Sequence, residues 1–289
     1  MTDPVARIAQ TVLYEGYLLW PYRRSALKNR RRWTFGGVHP PAWSARHPDD
    51  PAVMRTQCLV EGDDPVVDVT VRFLHVVDRR VAEVTPRGPR FVDVLDAGGE
   101  RHVAWEEATE REVVAPAGRG GAPIAVAAGR VREHVAGGAG LVERTWAALS
   151  GGVGVRREPA ARGVHRLTVT IANTSPWDGE DRAAALRRSL VSTHAVLRAR
   201  RGAFVSLMDP PDRLAGAAAA CRNDGAYPVL VGDEPDRTTM LAAPIMLPDR
   251  PEIAPESPGD LFDATEIDGL LVLSVLGMSD DERREARAS

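Results

Sequence analysis

Residues Val67, Val69, Val71 and Phe73 are apolar and alternate with Asp68, Thr70 and Arg72. A period of two puts the first set on one face of a strand and the second on the other. A strand with one dry face has to be covered by more chain, so a sheet with a buried side is the minimum fold open to this sequence. Leu167, Val169 and Ile171 repeat the pattern against Thr168 and Thr170, with residues 153–158 as the other arm of a hairpin. Residues 91–95 and 102–105, around Ala97-Gly98-Gly99-Glu100, predict a second hairpin.

Elsewhere the pattern is mixed. The N-terminus opens with a short helix that Pro21 disfavours extending, residues 39–51 read as a loop, and residues 106–112 read as a polar helical turn. From Gly179 onward, residues 181–188 favour helix, and residues 190–197 fit either a continuation of it or a strand. Residues 203–207, 227–231 and 240–247 read as strands, and Pro211 opens a helix reaching Cys221. After a proline-rich loop, Asp263 with Glu266 has capping-box spacing, and Ser279 with Glu282 repeats it for a last helix. That helix meets no stop signal at Ser289, from which a longer native chain is expected. Strands first and mixed elements later predict an α+β fold. Its N-terminal part, residues 1–175, is expected to be antiparallel, β-rich and sandwich-like. Residues 176–289 are expected to be mixed α/β with C-terminal helices, the two parts being separate or one continuous domain.

Composition limits the function classes. At 44% hydrophobic and 27% charged, the chain can bury a core. Of 37 Lys and Arg residues only Lys28 is lysine, a mark of codon bias that makes arginine abundance a poor functional signal. A net charge of -3 gives no broad positive field, which disfavours nucleic acid as a partner. Two distant cysteines, Cys58 and Cys221, form neither a disulfide framework nor a metal knuckle and point to a reducing, cytoplasmic compartment. The apolar stretch 270–278 is far shorter than the roughly twenty residues of a bilayer span, so no membrane insertion is expected.

Ser25-Ala26-Leu27-Lys28 has the Ser-x-x-Lys spacing of serine β-lactamases, but the accompanying Lys-Thr-Gly strand needs a second lysine that the chain lacks. Histidines 39, 47, 75, 102, 134, 165 and 194 include no pair at helical zinc spacing. His194 meeting Cys221 would make a nucleophile–base pair, against the simpler reading of a core histidine beside a buried thiol. Glu256, Asp260 and Asp263 offer oxygen ligands without the order of a calcium loop. No catalytic residue, cofactor or metal is therefore expected. The most distinctive local chemistry is the aromatic and basic run Tyr14, Tyr17, Trp20, Tyr22, Arg23, Arg24, Lys28 and Trp33, which has no acid between Tyr22 and Trp33. Aromatics and arginine concentrate interface energy, and the acidic segment around Glu256, Asp260 and Asp263 is its electrostatic complement.

Residues 11–36, residues 204–211 with Asp209 among them, and residues 251–263 together resemble a bacterial, largely actinobacterial family encoded beside nickel–iron (NiFe) hydrogenase genes. The resemblance implies a setting, hydrogenase maturation or assembly, and no particular reaction. It suggests an accessory protein that binds a protein partner, such as a NiFe-hydrogenase subunit or maturation factor. Two other readings are an enzyme, a hydrolase or ligand-processing factor with its site between the basic segment and the acidic loop, and a nucleic-acid-binding protein.

Overall fold

The computed structural model of the chain describes residues 4–14 and 36–252. Four short helices, α1 (Pro4–Tyr14), α2 (Pro41–Ser44), α3 (Arg182–Leu186) and α4 (Ala215–Ala219), accompany thirteen strands among these residues. The strands are β1 (Val53–Thr85), β2 (Gly88–Val92), β3 (Val94–Ala97), β4 (Glu100–Val103), β5 (Trp105–Ala115), β6 (Gly121–Val126) and β7 (Gly129–Val135). They continue with β8 (Gly140–Trp146), β9 (Leu149–Ala161), β10 (Val164–Asn173), β11 (Val191–Val205), β12 (Tyr227–Leu230) and β13 (Thr239–Ala243). Eleven of them form one antiparallel sheet, and β3 and β4 pair apart from it.

The 33-residue β1 is the axis of the sheet, and it changes partners along its length. On one edge it pairs first with β10 (residues 53–61), then with β5 (69–79), then with β2 (81–85). On the other edge it pairs with β11 (59–74) and then β8 (78–83). The hand-over from β10 to β5 follows a register shift at residues 62–65. Gly62 has φ +139° there, and Pro65 sits at the irregularity, the place within a sheet where proline is tolerated.

The sheet then curls on itself. β10, β9 and β6 follow one another outward from β1, yet Ile124 of β6 shares one apolar cluster with Phe73 of β1, Ala115 of β5 and Leu197 of β11. Phe73 and Phe204 are completely buried, and each such side chain contributes roughly 1.5–3 kcal/mol of transfer free energy. The outer face is covered in patches. Ala9 and Val12 of α1 lie on Val196, Val229, Leu241 and Ala243. Leu214 and Ala218 cover Leu59, Val164 and Val205. Leu95 of the β3–β4 hairpin covers Val81 and Val142.

This architecture overturns the α+β expectation and its sandwich-like first part. One large antiparallel sheet carries the described fold, and β11, β12 and β13, all beyond residue 175, belong to it alongside β1. The ambiguous run 190–197 is strand because it is buried on both sides, Ala195 and Leu197 in the interior and Val196 under α1. A strand dry on both faces loses its period of two and looks like a buried helix in sequence. Residues 106–112, expected as a helical turn, lie in β5. Their polarity comes from ion pairs with β1 and with the end of α3: Glu107 with Arg79 at 3.2 Å and Glu110 with Arg72 at 3.0 Å on β1, and Glu106 with Arg187, which caps α3, at 3.3 Å. The helices expected after Asp263 and Ser279 lie outside the described residues.

Candidate interaction site

Two consecutive strands of the sheet, β5 and β6, are neighbours in sequence but no ladder joins them. β5 pairs with β1 and β6 pairs with β9. Their five-residue connection is pinned to both. The Ala117 N–H donates to Asp68 Oδ1 at 3.0 Å, and Gly120 O accepts from the Val155 N–H at 2.8 Å. Asp68 is held in turn by the Arg200 guanidinium at 2.6 Å. The two strands thus splay from a fixed end, and a seam of about 680 Å³ opens between them.

Alternation decides what lines the seam. Val113 and Ala115 of β5 and Ala122, Ile124 and Val126 of β6 turn toward the apolar interior, with Phe73 as the floor. Glu112 and Val114 turn outward, and Glu112 leans toward Arg72 at 3.9 Å. Trp146 borders the mouth. Its Nε1–H donates to Ala127 O at 3.0 Å, and its ring lies so close to Gly129 that a Cβ there would stand 2.2 Å from it, so the position requires glycine. Pro123 removes one donor from β6, as proline does on edge strands. β5 carries no proline between residues 111 and 115, so it offers the more regular free edge.

Arg111 stands at the same mouth, directly across the ladder from Phe73. Its Nε is enclosed without a hydrogen-bond partner, and no carboxylate among the described residues lies within ion-pair distance. The neighbouring arginines differ in this respect. Arg72, Arg79, Arg144, Arg157 and Arg200 each hold an Asp or Glu.

Other polar groups are committed to the fold. His39, Ser189 and Asp50 form a line that superficially has the composition of a hydrolytic triad: Ser189 Oγ lies 3.0 Å from His39 Nδ1, and His39 Nε2 lies 3.5 Å from Asp50 Oδ1. Ser189 is wholly buried and its hydroxyl also contacts Ala185 O at 2.9 Å, so no acyl group can reach it. Burial lowers the basicity of His39 despite Asp50 beside it. Burial also works to raise the Asp50 pKa, but the Trp43 indole N–H, His39 and Arg182 together hold it below the usual value. The cluster ties α2 and α3 to the start of β1.

His75 and His194 are fully buried, and desolvation pushes each down to about 4. His194 does not meet Cys221. It pairs across the ladder with Arg72 and its Nδ1 contacts Ser192 O at 3.1 Å, whereas Cys221 packs in the separate cluster around Leu59 and Val205. Burial raises the thiol pKa of both Cys58 and Cys221, and both are free. Among the described residues no group of three or more His, Cys, Asp or Glu is arranged to hold a metal ion. No helix among them is long and apolar enough to cross a membrane.

Of the residues singled out in sequence, Asp209 is exposed in the loop after β11, where its N–H donates to Ser206 Oγ at 2.9 Å, away from the seam. Tyr14 ends α1. Tyr17, Trp20, Tyr22, Arg23, Arg24, Lys28, Trp33, Glu256, Asp260 and Asp263 lie outside the described residues, as do Ser25 and the rest of that run. Arg111, Val113 and Trp146 were not singled out. The alternation of Arg111, Val113 and Ala115 against Glu110, Glu112 and Val114 was the available signal. Comparison with protein-family models and with curated proteins yields no match.

Proposed function

We propose that the protein is a binding module that receives an extended segment of a protein partner along the β5–β6 seam. The observation that carries this reading is the edge of β5 at residues 111–115, which no strand among the described residues pairs, bordering an apolar groove of about 680 Å³. An unpaired strand edge supplies main-chain donors and acceptors, and the groove beside it supplies pockets for alternate side chains, the two elements of recognition by strand addition. Among the described residues the Ser189–His39–Asp50 line is buried and holds the fold together, and the enzyme reading, whose site would lie between the basic segment and the acidic loop, falls outside the described residues. In the setting that the family resemblance implies, the partner is a NiFe-hydrogenase subunit or maturation factor, and the two distant cysteines point to the cytoplasm as the compartment. The aromatic and basic run from Tyr14 to Trp33, with the acidic residues Glu256, Asp260 and Asp263, would add a second contact to the same partner.

Affinity purification of the tagged full chain from cells making NiFe hydrogenase, followed by mass spectrometry, tests this. The reading expects a hydrogenase subunit or maturation factor in stoichiometric yield. Recovery of neither, from cells in which both are expressed, would remove the hydrogenase setting.

A further inference from the structure

We propose that the seam selects an extended segment bearing an Asp or Glu side chain, which Arg111 receives. The inference rests on the strand-addition reading above and adds the chemistry of the occupant. Arg111 is a partly enclosed cation with no carboxylate among the described residues within ion-pair distance, whereas Arg72 and Arg79 on the paired strand β1 each hold a glutamate. Withdrawing a guanidinium from water is costly unless an anion replaces the lost hydration, and a carboxylate does so through paired N–H···O bonds.

Register turns this into a sequence pattern. A strand added to β5 places one residue directly opposite each β5 residue, with same-face Cβ atoms about 4.5–5.5 Å apart. The residue opposite Arg111 carries the acid. Those opposite Val113 and Ala115 face the floor formed by Phe73 and Ile124 and are apolar. The pattern is acid–x–apolar–x–apolar, or its reverse if the added strand runs antiparallel. The pinned connection closes the far end, so a segment enters at the mouth and passes Arg111 in mid-chain. The carboxylate is therefore a side chain's and not a chain terminus.

The test uses synthetic peptides with both ends blocked, in which Thr-Glu-Thr-Val-Thr-Val-Thr and the reversed order are each compared with the same peptide carrying Gln for Glu. Binding to the full chain is read by fluorescence anisotropy. In one order the Glu peptide should bind about tenfold or more tighter than its Gln counterpart, the scale of one charge-assisted contact. Arg111→Gln should abolish that preference while leaving the affinity of the Gln peptide within about twofold. If that variant does not fold, the wild-type preference must shrink between low and about 1 M salt. Equal binding of Glu and Gln peptides overturns the role of Arg111 and leaves strand addition standing. Binding by none of the four peptides counts against strand addition itself. A dimer that peptide dissociates, or cross-links joining β5 to residues 253–289 of its own chain, would make a second copy or the chain's own tail the occupant and overturn the proposal.

Discussion

Phe73 and Arg111 stand opposite each other on the β1–β5 ladder, one completely buried beneath the seam and the other at its mouth, with no carboxylate among the described residues within ion-pair distance. One step along the same ladder, Arg72 faces Glu112 and holds Glu110 at 3.0 Å and Gln10 of α1 at 2.6 Å. The two arginines lie one ladder step apart on opposite faces of the sheet and differ in commitment, and their substitutions separate them.

Arg111→Gln should change stability by no more than about 0.5 kcal/mol, because no folded-state ion pair is lost. Arg72→Gln should cost about 1–2 kcal/mol, since it releases Glu110 and the tie to α1. Urea unfolding of both variants checks the order. A larger loss for Arg111→Gln would mean that Arg111 already has a partner in the free protein.

Ser189→Ala should destabilise by about 1–3 kcal/mol, because His39 Nδ1 loses its contact in a site closed to water. The same serine should resist a fluorophosphonate active-serine probe in the native protein. Labelling of Ser189 would show that the His39–Asp50 line opens to substrate and would support a hydrolase site there.

Stability should fall as pH drops from about 6.5 toward 4. His75 and His194 are held neutral in the fold at about 4, while the unfolded chain binds protons from about 6.5 downward. A lowered histidine pKa therefore gives stability that is complete above the unfolded value and is lost as acid charges the unfolded state. Each site contributes on the order of 2 kcal/mol of loss by about pH 5. Replacing both by Gln should flatten this part of the profile in denaturant titrations, and an unchanged slope would assign it to other groups.

Asn173→Ala should cost about 2–4 kcal/mol. The buried amide donates to Val38 O at 2.8 Å and to Arg188 O at 2.7 Å, and its Oδ1 accepts from the Ser175 N–H at 2.8 Å. Thermal unfolding would show it, and a neutral outcome would mean that water replaces all three bonds.

Residues alternating between wet and dry faces were legible, and those dry on both faces were not. Val67 to Phe73 and Leu167 to Ile171 declared their strands through a period of two, and the hairpin around Gly98 and Gly99 declared its turn. Residues 190–197 hid theirs under α1, and β5 hid its own because each outward Glu meets an arginine several residues or a whole chain segment away. The seam was illegible for a further reason. It arises from a ladder that does not form between β5 and β6, and a missing pairing leaves no mark in either strand's sequence. Its closure at one end depends on Asp68 reaching Ala117, a contact over 49 residues that no local pattern encodes.

The central claim is that the β5 edge is where a partner's chain adds. Amide hydrogen exchange on the full chain, alone and saturated with the captured partner, tests it most directly. The account predicts new protection concentrated at residues 111–115, with β7 and β12 unchanged. Protection elsewhere with β5 exchanging as freely as before would contradict it.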